Sequence, residues 1–306
     1  MTDTILIYEK PENYFFRRMS NVYAPYDMRL HSFKYWVYRF LHITGIPLYR
    51  KFWGKWKEKI KSSRKVIIFD YGYQRGMDTY IKKINPDCEV FLFYWNVVTK
   101  YREGYKSFKN KSHIYSFDVA DCEKYNFKYN SSFISRDVLT PEIRENVKRV
   151  FFVGGDASGR AEKLLKMKIS LEKEGLQPEF RLFTGNTDKA FRDKYESMII
   201  DNYMSYDECI TETKKSGIIL DIVKEKQKGL TLRFMESVAL SKKLITDNDF
   251  VKNTDVYRYG NIYVLKNEDY EEVSDELREF LNRPFKAYDK ETVEEYFFES
   301  WIKRFE

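Results

Sequence analysis

Short runs of consecutive apolar residues alternate along the chain with stretches in which apolar residues recur at helical spacing. The first runs are TILIYEK, KVIIFDYG, CEVFLFYWN and SHIYSFD, and a helical stretch such as GMDTYIKKIN follows the second of them. Strands that are apolar throughout and alternate with helices are typical of a parallel sheet covered on both faces. The first part of the chain is therefore predicted to form an α/β domain.

The alternation is interrupted near Thr140-Pro141 and then restarts. KRVFFVGGDASGR predicts a strand followed by a turn, and AEKLLKMKISLEKEG predicts the next helix. Further strands are predicted in PEFRLFTG, GIILDIV, LITDN and NIYVLKN. Two α/β domains that face a central cleft are expected, since clefts between domains commonly hold small-molecule sites. The predicted divisions are a first domain over 1–145, a second domain over 146–285, and a last helix over 286–306 that packs back toward the first domain.

A glycine-rich turn joins the first strand of the second domain to the next helix. Gly154, Gly155 and Ser158 lie in this turn, and Arg160 follows it. Glycines allow a ligand to approach the backbone, and the N–H groups at a helix start favour phosphate. Arg160 could bind the same phosphate through two N–H groups. The spacing differs from the GxGxxG dinucleotide motif, and a plain tight turn is the alternative interpretation.

A second candidate lies in LDIVKEKQKGLTLRFMES, where a polar loop leads from a strand into a helix. Thr231 opens the helix, and Arg233 and Glu236 lie in its first two turns on adjoining parts of one face. Thr231 and the helix start are suited to diphosphate oxygens, and Glu236 is suited to the vicinal diol of a ribose. The alternative is a surface Arg–Glu pair, although the surrounding apolar residues leave little of this helix exposed.

The glycine turn, GLTLRFMES and the following KKLITDN together resemble the donor-binding domain of GT-B type glycosyltransferases, especially those of bacterial lipopolysaccharide and capsule assembly. The resemblance covers the second half of the chain, and reaches the first half through architecture alone. It implies two Rossmann-like domains, with the acceptor on the side of the first (1–145) and a nucleotide-sugar donor bound by the second (146–285). It also implies a ribose-binding role for Glu236, and no metal or other cofactor. Many retaining members carry two glutamates separated by seven residues, and here Lys228 occupies the first position. Retaining and inverting reactions therefore both stay open.

Fewer residues of the first domain point to chemistry. Asp70 ends a predicted strand, where a carboxylate can take a proton from an acceptor hydroxyl, with capping of the next turn as the alternative. Trp95 and Asn96 end the next strand and either contact a sugar or belong to the core and a turn. Arg17 follows the first strand and is expected to line the same cleft. Asp70 is the candidate catalytic base, and the other three are candidate acceptor contacts.

Basic residues are concentrated in one segment. The whole chain has a formal net charge of +7. Residues 34–65 contain ten basic residues and one acidic residue, Glu58, which gives this segment a net charge of +9. The segment is predicted to form two helices separated by Pro47. Three tryptophans lie among its charges: Trp36, Trp53 and Trp56.

Basic helices with interleaved tryptophans suit the surface of an anionic membrane. Lys55 and Lys57 are then candidate contacts on the acceptor or membrane side. Nucleic acid is a second interpretation, although no known reading motif accompanies the charges. The third interpretation is a solvated basic surface that only aids solubility.

Cysteine and histidine are sparse in the chain. Three of each are scattered without a CxxC pair or metal-ligand spacing, which argues against a disulfide framework or a zinc site. No apolar run reaches the roughly 18 residues of a membrane-spanning helix, and the N-terminus lacks the positive charge of a secretory signal. A cytoplasmic protein is expected, either soluble or peripheral at the inner face of the cell membrane.

The resemblance implies a glycosyltransferase that moves a sugar from a nucleotide-sugar donor to a surface-glycan acceptor, in lipopolysaccharide or capsule assembly. The acceptor is expected to be a glycan, soluble or carried on a lipid. A sugar-nucleotide epimerase of the same fold is an alternative, but it needs no acceptor site and leaves the basic segment unexplained. A non-catalytic nucleotide-binding protein is the other alternative.

Overall fold

The chain folds into two α/β units. The structure, a computed structural model, describes residues 3–12, 15–16, 19–28, 32–141, 143, 146–156, 159–224 and 227–306. The first unit consists of Met1–Asn130 with Phe305–Glu306, and the second of Ser131–Arg304. Each unit contains one six-stranded sheet whose neighbouring strands are parallel. The prediction of an α/β chain with parallel sheets is confirmed.

The first unit extends the flavodoxin-like strand order. Its strands are β1 (Thr4–Ile7), β2 (Val22–Tyr23), β3 (Lys65–Phe69), β4 (Glu89–Tyr94), β5 (Ile114–Ser116) and β6 (Lys128–Tyr129). Its helices are α1 (Phe33–Ile43), α2 (Met77–Ile84), α3 (Gly104–Ser107) and α4 (Val119–Tyr125). The sheet order is β2–β1–β3–β4–β5–β6, which is the order 2-1-3-4-5 with one strand added.

The second unit has the strand order of the Rossmann fold. Its strands are β7 (Asn146–Gly155), β8 (Gln177–Phe183), β9 (Ile199–Ile200), β10 (Ser216–Asp221), β11 (Lys243–Thr246) and β12 (Ile262–Val264). Its helices are α5 (Arg160–Lys173), α6 (Lys189–Tyr195), α7 (Tyr206–Lys214), α8 (Leu232–Ala239), α9 (Asp275–Asn282), α10 (Lys290–Glu294) and α11 (Phe298–Trp301). The sheet order is β12–β11–β10–β7–β8–β9. Counted from β7, this is the order 3-2-1-4-5-6 read from the opposite edge.

The central strands are apolar throughout because both faces of the sheet are buried. In β3, Val66 and Ile68 pack into the cluster that contains Trp53 and Ile81, while Ile67 and Phe69 point to the other face. All four β3 side chains are buried. A strand with one wet face would have alternated apolar and polar residues, so the continuous apolar runs were the correct signal for these strands.

The last two residues of the chain complete the first unit. The Phe305 ring packs 5.6 Å from that of Phe91 and 4.8 Å from that of Tyr115, and the Tyr115 hydroxyl donates to the Glu306 carbonyl at 2.7 Å. Phe305 is fully buried. These contacts cover the second face of the first sheet.

The predicted single helix near the end of the chain is divided in the structure. Helices α10 and α11 are separate, and a 3₁₀ helix at Ile302–Arg304 follows. Between them, the Ile134 N–H donates to the Tyr296 carbonyl at 3.0 Å and the Phe298 N–H donates to the Ile134 carbonyl at 3.2 Å. Because these backbone groups pair with Ile134, they are not available to continue a helix.

The second half of the basic segment also departs from its predicted helix. Three 3₁₀ helices take its place, at Pro47–Phe52, Lys55–Glu58 and Ile60–Ser62. Gly54 separates the first two and lies against the backbone of the preceding strand–helix connection, where its N–H donates to the Pro25 carbonyl at 2.9 Å. A Cβ atom on Gly54 would lie 2.2 Å from the Ala24 carbonyl oxygen. This close approach, rather than helical propensity, decides the local backbone.

Trp53 and Trp56 are core residues of the first unit. Both indole rings are buried, and their centroids are 5.4 Å apart. The Trp56 Nε1–H donates to the Pro25 carbonyl at 3.2 Å. The expectation that these two tryptophans face a membrane or another partner is therefore wrong. Trp36 on α1 is more than half exposed and differs from them in this respect.

The functional division predicted from the sequence concerns which part binds the acceptor and which the donor. Its boundaries at 145/146 and 285/286 stay a prediction. The described contacts assign residues 131–141 and 143 to the second unit.

Replacing Gly54 by Ala is expected to destabilise the protein by about 1–3 kcal/mol, since the new methyl group would overlap the Ala24 carbonyl. Urea unfolding followed by circular dichroism measures the effect. Gly185→Ala is the matched control, because no atom of the described residues lies within 4 Å of the position a Cβ would take there. Equal midpoints for the two variants would contradict the close approach at Gly54.

Candidate functional site

Each sheet has a switch point, where the chain connections run in opposite directions from two neighbouring strands. It lies between β7 and β10 in the second unit and between β1 and β3 in the first. Open α/β sheets bind ligands at the carboxyl ends of the strands beside such a point. The strands of the second unit end there at Gly155 and Asp221, and β3 of the first unit ends just before Asp70. Asp70, Gly155 and Arg160 of the predicted candidates lie at these edges.

Arg160 places a buried cation at the end of β7. It is the first residue of α5, whose N-cap Gly159 has φ of 74° and supplies no capping side chain. The Arg160 side chain is buried, and its Nη1 donates to the Gly155 carbonyl at 2.5 Å. Within the described residues, its buried Nε–H has no hydrogen-bond partner. An unused donor beside an uncapped helix start is an arrangement that suits an anion.

Gly154 leaves room for the Arg160 guanidinium beside the strand. A Cβ on Gly154 would come 3.0 Å from the Phe152 ring and 3.4 Å from Arg160 Nη1. Burial lowers the pKa of Arg160, and the negative charges of Asp221, Asp247 and Asp156 oppose that shift. The site is therefore a guanidinium surrounded by carboxylates, and its cation is partly balanced before any ligand arrives.

Asp221 is a buried carboxylate held by two hydroxyl groups. The Thr231 hydroxyl donates to its Oδ2 at 2.8 Å, and the Thr246 hydroxyl does so at 3.1 Å. Burial raises the pKa of Asp221 to about 6, while these two hydrogen bonds favour the charged form. The sequence placed Asp221 at a strand end without assigning it a role. The signal that selected Asp70, an acid closing an apolar strand, applies equally to Asp221.

Thr231 is engaged within the protein. It is the N-cap of α8, where its hydroxyl accepts from the Phe234 N–H at 3.1 Å while donating to Asp221. A hydroxyl has one proton to donate, and here Asp221 receives it. A diphosphate at this helix start would therefore meet backbone N–H groups of the first turn rather than the Thr231 hydroxyl. The predicted contact between Thr231 and a diphosphate stays a prediction.

Glu236 and Arg233 form a buried ion pair. Glu236 Oε2 lies 2.6 Å from Arg233 Nη1, and no part of the carboxylate side chain is exposed. The N–H bond is not aligned with the carboxylate, so the contact is electrostatic rather than a directed hydrogen bond. The pair faces α7, where Tyr206 and Cys209 contribute to its electrostatics. A solvated surface pair is therefore not what the structure contains.

Burial raises the pKa of Glu236 to about 7, and the charge of Arg233 and the nearby Tyr206 hydroxyl oppose that shift. The carboxylate is thus costly to ionise where it lies, and it is stabilised mainly by Arg233. To contact a ribose it must become accessible from this buried position. The ribose-binding role assigned to Glu236 stays a prediction.

Asp70, Trp95 and Asn96 meet in the first unit. The Trp95 N–H donates to Asp70 Oδ1 at 3.4 Å, and the Asn96 amide donates to Oδ2 at 3.3 Å. Arg102 Nη1 lies 3.5 Å from Oδ2, and its guanidinium stacks 3.9 Å from the centroid of the Tyr71 ring. Burial raises the pKa of Asp70 to about 7, and Arg102 opposes that shift. Arg102 was missed by sequence reasoning because it reaches Asp70 from a distant loop.

The Trp95 ring packs within an aromatic cluster. Its centroid lies 5.1 Å from that of Phe15, 5.3 Å from that of Phe69 and 5.7 Å from that of Tyr8. Trp95 is half-buried. Protein rings thus occupy much of the surface that a stacked sugar would use, and the predicted sugar contact stays a prediction.

The remaining candidates are spread apart. Lys55 is exposed, whereas Lys57 is half-buried and its Nζ donates to the Arg50 carbonyl at 3.1 Å. Burial lowers the pKa of Lys57. Arg17 and Ser158 lie outside the described residues.

Among the described residues, no helix is both long enough and apolar enough to cross a membrane. In that same part of the chain, no three or more His, Cys, Asp or Glu side chains are arranged to hold a metal ion.

Several solved structures are similar to this chain. One, described as trehalose-6-phosphate from E. coli bound with UDP-2-fluoro glucose, is 12% identical, with a TM-score of 0.50 over 88% of this chain and 73% of that one. An α-glucosyltransferase in complex with UDP-glucose and DNA containing an abasic site is 14% identical, with a TM-score of 0.49 over 81% and 77%. A glycosyltransferase from Rickettsia africae ESF-5 is 12% identical, with a TM-score of 0.45 over 91% and 79%.

No protein-family model matches the chain, and no curated protein does. At these identities the structural similarity concerns the fold alone. Together with the strand orders of the two sheets, it confirms the prediction of a GT-B type fold built from two Rossmann-like domains.

The raised pKa of Asp70 predicts how the first unit responds to pH. The folded protein keeps this proton from about pH 4 to about pH 7, where the unfolded chain has lost it, so the contribution of Asp70 to stability falls as pH rises through that window. The slope is at most about 1.4 kcal/mol per pH unit. In Asp70→Asn the contribution of this residue to the pH dependence of the free energy of unfolding is expected to disappear. Urea unfolding followed by tryptophan fluorescence measures that free energy at each pH.

Four of the five tryptophans, Trp36, Trp53, Trp56 and Trp95, belong to the first unit, so their fluorescence reports mainly on that unit. Asp87→Asn, at an exposed position of the same unit, is the control. If Asp70→Asn and the unmodified protein change stability in parallel from pH 4 to 7, Asp70 does not hold a proton in the folded state.

Proposed function

We propose that this protein is a glycosyltransferase that transfers a sugar from a nucleotide-sugar donor to the hydroxyl of a surface-glycan acceptor. The observation that carries the proposal is Arg160, a buried guanidinium beside Gly155 at an uncapped helix start, at the switch point of a Rossmann sheet. This arrangement is suited to a diphosphate. A nucleotide sugar presents a diphosphate between its nucleoside and its sugar.

The proposed leaving group is the nucleoside diphosphate. As the bond to the sugar breaks, negative charge develops on the diphosphate oxygens. Arg160 Nε–H and the first N–H groups of α5 are proposed to stabilise that charge. The similar structure described as bound with UDP-2-fluoro glucose contains a ligand of the proposed class.

Glu236 is proposed to hold the ribose of the donor. It lies on the second turn of α8, whose start is beside Asp221 at the neighbouring strand end. In this proposal the ribose hydroxyls take the position that Arg233 now holds against the carboxylate. The nucleotide must then replace a buried ion pair by hydrogen bonds, which links donor binding to a local rearrangement of α8.

Asp70 is proposed as the base that takes the proton from the acceptor hydroxyl. A carboxylate with a pKa of about 7 is a stronger base than an ordinary aspartate, and it is substantially ionised at neutral pH. Asn96 and Arg102 orient it through contacts to the same oxygen, Oδ2. The proton moves from the acceptor oxygen to Asp70 as the new glycosidic bond forms.

The acceptor is proposed to be a glycan of lipopolysaccharide or capsule assembly, carried on a lipid at the inner face of the cell membrane. The resemblance of GLTLRFMES and KKLITDN to enzymes of those pathways supports this class of acceptor. The basic segment at 34–65 supports a location beside an anionic surface.

Glu236→Gln is expected to weaken binding of the best nucleoside diphosphate by about 1–3 kcal/mol, because a charged acceptor of two hydroxyl hydrogen bonds becomes a neutral one. Calorimetry measures the affinity. The difference in affinity between the nucleoside diphosphate and its 2′-deoxy analogue isolates the ribose contact. This difference should be smaller in the variant than in the unmodified protein.

Glu236→Gln is preferred to Glu236→Ala, since removing the whole side chain leaves Arg233 buried without its partner and threatens the fold. Glu196→Gln, at an exposed position in the same unit, is the control. If Glu236→Gln leaves the difference in affinity between the nucleotide and its 2′-deoxy analogue unchanged, Glu236 does not bind the ribose.

Arg160→Gln is expected to weaken binding of a nucleoside diphosphate about tenfold or more while leaving binding of the matching nucleoside unchanged, since the guanidinium is proposed to contact phosphate alone. The same titrations with Arg181→Gln, an arginine of β8 that pairs with Glu179, provide the control. Equal weakening of both ligands by Arg160→Gln would show a structural role instead.

Turnover separates transfer from its alternatives. A transferase releases nucleoside diphosphate from a nucleotide sugar much faster when an acceptor pool is present. Binding without release under any acceptor would favour a non-catalytic nucleotide-binding protein, and conversion of the donor sugar without an acceptor would favour an epimerase.

A further inference from the structure

Helix α1 has apolar residues on two opposite faces, and within the described part of the chain only one of these faces is covered. Tyr38 lies on the covered face, where it is buried against Tyr26 and Phe52 and donates to the Gln74 side chain at 2.9 Å. The opposite face carries exposed apolar side chains at spacings of three, four and three residues: Phe33, Trp36, Phe40 and Ile43. Residues at these spacings form one continuous stripe along a helix.

The exposed stripe is too concentrated to be ordinary surface. Phe33 is 83% exposed and Ile43 is 75% exposed, and Ile46 and Leu48 continue the stripe beyond the helix. Six of the thirteen exposed large apolar side chains in the described part of the chain lie within these sixteen residues. Single exposed apolar residues need no explanation, whereas a contiguous patch marks an interaction site.

The stripe is held on a fixed support. Ser32 caps the start of α1 by accepting from the Tyr35 N–H at 3.2 Å. After the helix, Tyr49, Trp53 and Trp56 insert into the core of the first unit. The buried tryptophans of the basic segment therefore anchor it, while Trp36 and its neighbours face outward.

Basic side chains surround the stripe. Lys34 and Arg39 lie on α1 itself, and the Arg39 guanidinium is 5.8 Å from the centroid of the Trp36 ring. Further exposed lysines follow in the same segment: Lys51, Lys55, Lys59 and Lys61. An apolar stripe beside basic side chains is the pattern of a helix that lies in the plane of an anionic lipid surface.

We propose that α1 is a membrane-docking helix, which inserts Phe33, Trp36, Phe40 and Ile43 between the lipids of an anionic bilayer. Its basic neighbours then contact the lipid headgroups, and their aliphatic stems lie along the interface. The inference deepens the proposed function by naming the element that contacts the membrane. This inference rests on the proposed function only in that the lipid-carried acceptor explains why the protein would bind a membrane.

Charge argues against the other occupants of this face. Two copies of the chain meeting through α1 would bring together two segments that each carry +9. Nucleic acid would match that charge, but phosphates and base edges give Phe33 and Ile43 no apolar environment. An anionic bilayer satisfies both the charge and the apolar stripe.

Co-sedimentation with vesicles tests the proposal. The protein is expected to pellet with phosphatidylcholine vesicles that contain phosphatidylglycerol and to stay in solution with phosphatidylcholine alone. Phe33→Ser with Phe40→Ser should weaken the binding about tenfold or more, because both rings are exposed and contribute burial only in the bilayer. Tyr101→Ser, at a position that is 84% exposed in the same unit, is the matched control and should bind normally.

The basic contribution is tested by replacing Lys51, Lys55, Lys59 and Lys61 with Gln. Lys57 is kept, since its Nζ donates to backbone carbonyls that hold the segment together. This variant should lose about tenfold or more in vesicle affinity, and the affinity of the unmodified protein should fall as salt is added.

Trp36 offers a direct signal of insertion. Its fluorescence should shift to shorter wavelength on binding anionic vesicles, and Trp36→Phe should abolish the shift while keeping most of the binding. A shift that persists in Trp36→Phe would place the contact elsewhere. Binding that is unaffected by the Phe33/Phe40 variant would overturn the docking role of α1.

Nucleotide titrations distinguish this proposal from the transferase proposal. The α1 variants should bind a nucleoside diphosphate as the unmodified protein does, since α1 and Arg160 belong to different units. Absence of nucleotide binding with normal vesicle binding would defeat the transferase proposal alone. Absence of vesicle binding, together with self-association in sedimentation velocity or binding to duplex DNA, would assign the stripe to one of the rejected occupants and overturn this inference.

Discussion

Parallel strand pairing is the constraint on which the rest of the structure depends. It requires crossover connections, which place helices on both faces of each sheet and bury the central strands completely. Polar side chains are then disfavoured in the middle of the central strands, and they collect near the strand ends. Asp70 and Asp221 lie at such ends, one in each unit, and both are buried with raised pKa values. The same geometry that builds the fold thus concentrates costly charge at two edges.

The three carboxylates of the candidate site residues and their neighbours, Asp70, Asp221 and Glu236, differ in how that cost is offset. Asp221 is held by two neutral hydroxyls, Asp70 by an amide with a more distant arginine, and Glu236 by a close arginine. Removing the partner of a buried charge is expensive, so a ligand can take that partner's place only if it supplies equivalent hydrogen bonds. Of the three, Glu236 is the carboxylate whose partner a ligand could most readily replace, because its contact with Arg233 is an ion pair without a directed hydrogen bond. This makes it the group whose environment a nucleotide would change most.

The sequence was informative where local pattern decides structure. Apolar runs located the strands, and an acid at a strand end pointed to Asp70, which the structure places beside Trp95 and Asn96. Sequence patterns failed where tertiary contacts decide the structure. The three-residue spacing of Trp53 and Trp56 fits both an exposed α-helix and a 3₁₀ segment packed on a core, and the structure contains the second. The engagement of Thr231 by Asp221 and the reach of Arg102 depend on how strand, helix and loop meet. The periodicity of the sequence does not predict these tertiary contacts.

The central claim is that a nucleoside diphosphate binds at the carboxyl edge of the second sheet. A crystal structure with the nucleoside diphosphate that gives the largest thermal stabilisation tests it most directly. The account predicts diphosphate oxygens within hydrogen-bond distance of Arg160 and the first N–H groups of α5, and the Glu236 carboxylate turned from Arg233 to the ribose hydroxyls. A nucleotide bound elsewhere, with Glu236 still buried against Arg233, would contradict it.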